Sequence, residues 1–268
     1  MKSNESKYTP IIIWFFIVYL LLPLFCTFVY SFFTEWMDVL PHGFTLKFYS
    51  EIFHDPVFWR ALIRTIIISI IPVLLTAAMV LLAMYAIVVY VPALDKYMQI
   101  LCTIPYAIQG VILPVSVISL YAGAPKPFSN RVVMLALTYC IVILPYMYRG
   151  IKNSLAGVNA RVQLEAAQML GADKFYAFFR IVVPCMLSGV VISSMLSLAL
   201  IFGDFVIVNT IGGSYYQTAQ MYLFKKMFVS GQATSAIVVV LFAVTFVISG
   251  TVFIMRSRGL KPAGRKGK

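Results

Sequence analysis

Polar and apolar positions in this chain are sorted into long blocks rather than onto opposite faces of short helices. Crossing about 30 Å of hydrocarbon takes roughly 20 helical residues, and six blocks are long and apolar enough to do so. They lie near 11–33, 62–90, 99–122, 132–150, 184–208 and 234–255. Within a bilayer the backbone must satisfy its own hydrogen bonds, so each block predicts a helix. The fold class that follows is all-α, an integral membrane bundle of six transmembrane helices. No repeat, low-complexity stretch or linker divides it, and a single domain over 1–268 is expected.

Composition sharpens this picture. Of 268 residues 62% are hydrophobic and 11% charged, with mean hydropathy +0.93, more apolar surface than a soluble globule of this length can bury. The first block follows Lys2 and Lys7 as a signal sequence would, yet it is long and lacks a small-x-small cleavage site, so a retained helix is expected. Cys26 follows the bulky Phe25, which argues against lipoprotein acylation. Cys26, Cys102, Cys140 and Cys185 stand apart without C-x-x-C spacing, and neither a disulfide framework nor a metal site is implied.

Six spans put both termini on one side, and charge selects the side. Fourteen of the twenty-one basic residues fall there: Lys2, Lys7, Lys96, Arg149, Lys152, Arg161, Lys174, Arg180, and Arg256, Arg258, Lys261, Arg265, Lys266 and Lys268 of the tail 256–268. Lys47, Arg60, Arg64, Lys126, Arg131, Lys225 and Lys226 fall opposite, among Glu35, Asp38, Glu51 and Asp55. The positive-inside rule then predicts cytoplasmic termini in a multi-pass protein of the cell membrane. The net charge of +12 is scattered over loops and tail, which fits topology and anionic lipid and gives no reason to expect nucleic acid.

The connection 34–61 mixes aromatic and charged residues and is expected to lie flat on the external membrane face. Tyr8, Trp14, Tyr30, Trp36, Tyr49 and Trp59 suit an interfacial belt better than a ligand cage. Pro72, Pro105, Pro114 and Pro145, with Gly110, Gly203 and Gly250, mark kinks, close packing or hinges in the spans. Pro105, Gly110 and Pro114 cluster in the third span, which makes that helix a candidate for lining a path.

Between the fourth and fifth spans, 151–183 is too polar to cross and too long for a tight turn. Val162, Ala166, Met169 and Leu170 recur at helical spacing, as do Phe175, Phe178, Phe179 and Val182, so two short amphipathic helices are predicted. Gly171 lies between them, where the chain must turn. Ala166 and Ala167 leave room for another backbone, Glu165 offers an acceptor, and Pro184 suits the first turn of the fifth span. Periodicity alone fits a partner's docking surface and a bare interfacial helix pair equally.

The spacing adds a resemblance. Glu165-Ala166-Ala167, three residues, Gly171, nine residues, Ile181 and then Pro184 resembles the EAA loop of inner-membrane permease subunits of binding-protein-dependent ABC importers, with Val183 where that family usually has leucine. The resemblance implies that Glu165, Ala166, Ala167 and Gly171 contact a cleft of a separate ATPase, with Ile181 and Pro184 completing the motif. The chain has no G-x-x-x-x-G-K-[ST] loop, so ATP is expected on a separate dimer of ABC ATPase subunits, and this chain is expected to be neither an enzyme nor a cofactor carrier. A second permease, paralogue or self, and an external binding protein complete the implied assembly.

Asp204 is the only acidic residue in or beside a predicted span, where burial at mid-membrane would cost about 3 kcal/mol. With Gly203 it is a candidate for a gate or substrate path; a helix-end hydrogen bond or an interface pair is the alternative. NTIGGSYYQT, residues 209–218, resembles the scoop-like segment that such permeases place near the binding protein, making Gly212, Gly213 and Tyr215 candidate docking positions. Gly203-Asp204-Phe205 with Gly212-Gly213 resembles permeases for polyamines, ferric iron, thiamine or aminoalkylphosphonates, which suggests a polyamine-like cation or an aminoalkylphosphonate. An ion-coupled secondary transporter is the competing class, though it would usually carry more intramembrane ionisable groups. A membrane enzyme finds no support in the isolated His42 and His54.

Overall fold

The computed structural model describes residues 9–35, 42–108 and 110–259. Tyr8, Trp36, Asp38, Lys2, Lys7 and the basic tail beyond Gly259, to which the sequence assigned interfacial or topological roles, lie outside the described residues. Within them the chain is almost wholly helical, and its contacts form two compact units. The first holds the described residues up to Trp59 together with Tyr222–Val244; the second holds Arg60–Met221 and the described residues from Thr245.

In the first unit, α1 (Thr9–Tyr30) is apolar on every side, and none of its hydrophobic residues from Ile12 to Tyr30 is buried. The stretch expected to lie on the external face carries local structure of its own. Strands β1 (Phe33–Glu35) and β2 (His42–Phe44) pair antiparallel, Phe33 opposite Phe44, and a helix α2 (Lys47–His54) follows. Phe32 stacks on Phe44 at 5.7 Å, and the Ser31 and Tyr49 hydroxyls are 2.6 Å apart. The next helix, α3 (Pro56–Val89), starts at Pro56 rather than near 62 because Asp55 and Pro56 form a strong start signal. Asp55 Oδ1 accepts from the Val57 N–H at 2.8 Å, and proline at the first helical position loses no hydrogen bond.

The second unit corrects the third span. The expected helix over 99–122 is two helices, α4 (Leu94–Ala107) and α5 (Ile112–Tyr121), bent by 102° at the break. Gly110 sits in the break at φ +79°, a left-handed backbone that a residue with a side chain adopts only with strain. Among the described residues five helices are long and apolar enough to span by themselves, and six spans result if this bent pair is one.

The core of the unit is the crossing of α6 (Arg131–Gly157) with a later helix, α9 (Val183–Gly203). Gly150 and Ser154 on α6 and Gly189 and Ser193 on α9 present small residues at i and i+4, which brings the two backbones together. A side chain at Gly150 would collide with Ser193, and one at Gly189 would collide with Ser154 and come within 3.2 Å of the Gly150 carbonyl. Ser154 donates to the Met186 carbonyl across the crossing at 3.2 Å. The sequence had named Gly110, Gly203 and Gly250 as close-packing candidates, but a Cβ at any of them would meet open space.

Between these helices lie α7 (Ala160–Met169) and α8 (Lys174–Ala177), then a widened π turn over Phe178–Val182 that runs without interruption into α9. Of the two expected amphipathic helices, the first therefore exists as a separate element and the second is the leading end of the fifth span. That span also stops early, at Gly203 rather than 208, where Asp204 leaves the helix in extended backbone. A second π turn, Val208–Gly212, precedes α10 (Ala219–Met227) and α11 (Gly231–Gly259).

Candidate functional site

The loop carrying the Glu165 motif is held as follows. Asn159, in a left-handed conformation at φ 47°, turns the chain out of α6, and α7 then buries Ala160, Leu164 and Ala167. At its other end the Gly171 N–H donates to the Gln168 carbonyl at 2.9 Å and the Ala172 N–H to the Ala167 carbonyl at 3.0 Å. That pair of bonds is the Schellman closure of a helix, and it needs the left-handed φ of +85° that Gly171 supplies. Asp173 then restarts the helix, its carboxylate accepting from the Phe175 N–H at 3.0 Å.

The two apolar stripes have opposite fates. Phe175, Phe178 and Phe179 gather around Tyr85 of α3 with ring centroids 5.3 to 5.9 Å away, so most of this stripe is spent inside the chain, Phe178 and Val182 fully buried and Phe175 at its half-exposed edge. Val162, Ala166, Met169 and Leu170 face outward, Met169 and Leu170 with 88% and 89% of their surface exposed. Glu165 stands exposed beside them. Motif residues thus divide: Glu165, Ala166 and Gly171 are on the open surface, Ala167 anchors α7, and Ile181 and Pro184 belong to the start of the fifth span.

Pro184 is not at a free helix start, because the helix already runs from Lys174. Inside a helix its ring crowds the carbonyl four residues back and leaves it without a donor. The π turn lies at this place, with the Val183 N–H reaching back to the Phe178 carbonyl, and a wider turn relieves that crowding.

A cavity of about 230 Å³ lies among α4, α5, α6 and α9. Pro105, Gly110 and Asp204 line it with Tyr139, Tyr146 and Leu113; Gly203 and Pro114 are not on its wall. Asp204 Oδ2 accepts from the Tyr139 hydroxyl at 2.9 Å and from the Ile207 N–H at 3.0 Å. The carboxylate thus caps the helical segment that follows it while facing a cavity, which joins two readings that the sequence held apart. Tyr139 and Tyr146 escaped sequence reasoning because a tyrosine within an apolar block has the pattern of any core aromatic.

Asp95 was also missed, and the statement that Asp204 alone accompanies a span is corrected by it. The third span was expected from 99, whereas α4 begins at Leu94, so Asp95 lies in its first turn. It accepts from Lys152 Nζ at 2.7 Å, from the Tyr148 hydroxyl and from Gln99 Nε2 at 2.8 Å. Asp95 and Lys152 line a groove of about 390 Å³ with Asn159, Ala160, Arg161 and Val162, so the pair abuts the root of α7.

At the opposite end of α6, Gly212 is buried and Tyr215 is 78% exposed, with Gly213 between them at φ +49°. The Arg131 guanidinium lies over the Tyr215 ring, 6.0 Å from its centre. Tyr216 turns the other way, its hydroxyl donating to the Arg64 carbonyl at 3.1 Å. Of the three candidate docking positions, Gly212 supports the turn from within and Tyr215 forms the surface.

Comparison with known proteins agrees with this geometry. The family described as binding-protein-dependent transport system inner membrane component matches residues 80–258. A Salmonella paratyphi A protein, PhnV, provisionally described as a 2-aminoethylphosphonate transport system permease, is 24% identical over 189 residues, covering 70% of this chain and 71% of its own. The molybdenum transport system permease ModB of Escherichia coli K12 is 29% identical over 121 residues, 42% of this chain and 52% of its own. The spermidine/putrescine permease PotB of Haemophilus influenzae is 28% identical over 92 residues, 34% of this chain and 32% of its own. Among solved structures, a chain of a bacterial ABC transporter involved in the import of the acidic polysaccharide alginate shares the fold, with TM-score 0.71, 18% identity and 94% of both chains covered. The chain is therefore a member of the binding-protein-dependent transport system inner membrane components, a multi-pass ABC importer permease.

Proposed function

We propose that this chain, with a second permease subunit, forms a substrate path that opens to alternate sides when a separate pair of ATPase subunits closes on α7. The observation that carries this reading is the outward apolar face of Val162, Ala166, Met169 and Leu170 beside Glu165, on a helix whose other face is buried. Pushing on α7 moves α6 through Asn159 and α9 through the continuous helix from Lys174, and these two helices are in backbone contact at Gly150 and Gly189. On this reading the termini, α7 and Asp95 are cytoplasmic, while Arg131 and Tyr215 are external and meet the binding protein.

As cargo an aminoalkylphosphonate is the better of the two candidates. The similarity to the 2-aminoethylphosphonate permease runs over 189 residues against 92 for the polyamine permease. A zwitterion also suits a chain with a carboxylate, Asp204, in its cavity and two cations, Lys126 and Arg131, in a separate groove beside Tyr215. A polyamine cation is the second reading, favoured by Asp204.

The test is uptake by membranes carrying Glu165→Ala or Gly171→Asp. Both variants should insert normally, lose uptake and lose the ATPase from a gentle-detergent pull-down. Wild-type uptake by a stably inserted Gly171→Asp variant sinks the coupling assignment.

A further inference from the structure

Beside Tyr215 the surface opens into a groove of about 610 Å³ lined by Lys126, Pro127, Ser129, Asn130, Arg131 and Tyr215. Two of these are cations and none is an acid. Among the described residues the ion pairs are Lys47 with Glu51 and Lys152 with Asp95, so neither Lys126 nor Arg131 is neutralised. The carboxylates of this unit are Asp95, Glu165, Asp173 and Asp204. Asp95 pairs near the far end of α6, a helix of 27 residues and thus about 40 Å long, and Glu165 and Asp173 follow beyond that end. Asp204 is engaged with Tyr139.

Arg131 is also aimed. It is the first residue of α6, with Asn130 as the cap accepting from the Val132 N–H at 2.9 Å, and the Tyr215 ring supports one face of its guanidinium. A planar guanidinium held by its face keeps its edge donors for a flat or tetrahedral oxyanion, and Lys126 adds a point charge to the same groove. Gly213, at φ +49°, turns the chain beside Arg131.

We propose that this groove is an oxyanion site, in which Lys126 and Arg131 receive the phosphonate or similar anionic group of a small-molecule cargo at the mouth of the path. The inference rests on the external placement given above. It goes further in assigning residues to the charge of the cargo, and it concerns a face remote from α7.

The measurement is phosphorus NMR of methylphosphonate, an anion without an amine, added to the full chain in a phosphorus-free detergent at low salt. Wild-type protein should broaden the methylphosphonate line at millimolar concentration, and 0.15 M salt should weaken the effect because exposed charges are screened. Lys126→Gln with Arg131→Gln should reduce the broadening at least about fivefold, a loss of roughly 1 kcal/mol. Arg64→Gln, a cation outside the groove, should leave it unchanged, and spermidine should not compete. No broadening by wild type, or equal broadening by the double variant, overturns the site. Broadening in detergent that vanishes in phosphatidylcholine nanodiscs also overturns it, by giving the cations to lipid phosphates. A chain that still retains its ATPase while failing this test keeps the permease reading and loses only the groove.

Discussion

Lys152 reaches from α6 to within 2.7 Å of the Asp95 carboxylate in the first turn of α4, tying the broken third span to the helix that leads into α7. About a third of each side chain is exposed, so the pair contributes under about 1 kcal/mol to stability, discounted for solvent. Its greater effect is expected on coupling. Lys152→Met or Asp95→Asn should lower uptake several-fold with the subunit still inserted, and the exchange Asp95→Lys with Lys152→Asp should recover part of it. An exchange variant no better than either single change would show that position rather than pairing matters.

The crossing of α6 and α9 predicts a compensating pair. Gly150→Ala places a methyl against Ser193 and should destabilise by about 1–3 kcal/mol, as overpacking does. Adding Ser193→Gly removes the collision and should return most of that loss, since neighbouring substitutions couple. The midpoint of thermal unfolding in detergent, measured for both single variants and the double, gives the coupling directly.

Within the chain the constraint at Gly171 is backbone geometry, because a Cβ would meet nothing within 4 Å, so the loss expected of Gly171→Asp comes from a charge placed on the open face of the loop. Gly171→Asn should be tolerated better than Gly171→Val, since asparagine accepts a left-handed conformation and a β-branched residue resists it, by about 1–2 kcal/mol. Pull-down of the ATPase should follow the same order. Equal retention by both variants would move the constraint away from the turn.

In the first unit Asp55 links the start of α3 to Tyr222. Burial works against its charge, but the Tyr222 hydroxyl at 2.7 Å, the Val57 N–H and the charge of Lys226 prevail and hold its carboxyl below the ordinary range. A carboxyl lowered by folding stabilises the fold above its unfolded value, and that contribution is lost as pH falls through the folded one. Hydrogen exchange at the first turn of α3 should therefore be protected at pH near 6 and lose protection below about 4, the unfolded carboxylate value. Asp55→Asn should remove the pH dependence.

The spans were legible because a bilayer permits few structures, and the loop carrying Glu165 because its spacing is unusual. The break at Gly110 was not, since Pro105, Gly110 and Pro114 fit a kinked helix as well as a bend of 102°. The close-packing glycines were misplaced because Gly150 and Gly203 look alike in one dimension, and only the facing Ser193 distinguishes them. Asp95 lay just outside a boundary drawn too late. Which amphipathic stripe stays open was also beyond the sequence, because Phe178 and Phe179 pack against Tyr85, which lies far off in the chain.

The π turn before Pro184 sets a phase. Each residue of a helix advances its face by about 100°, so the extra residue in a widened turn decides how the two sides of the junction are rotated. On one side the phenylalanines meet Tyr85; on the other Gly189 and Ser193 meet α6. Deleting one residue from 178–182 would keep the chain helical and its composition nearly unchanged, yet it could seat only one of those faces at a time. The junction thus works as a fixed gear ratio between the loop and the membrane helix, and its residue count constrains the protein more tightly than most of its side chains do.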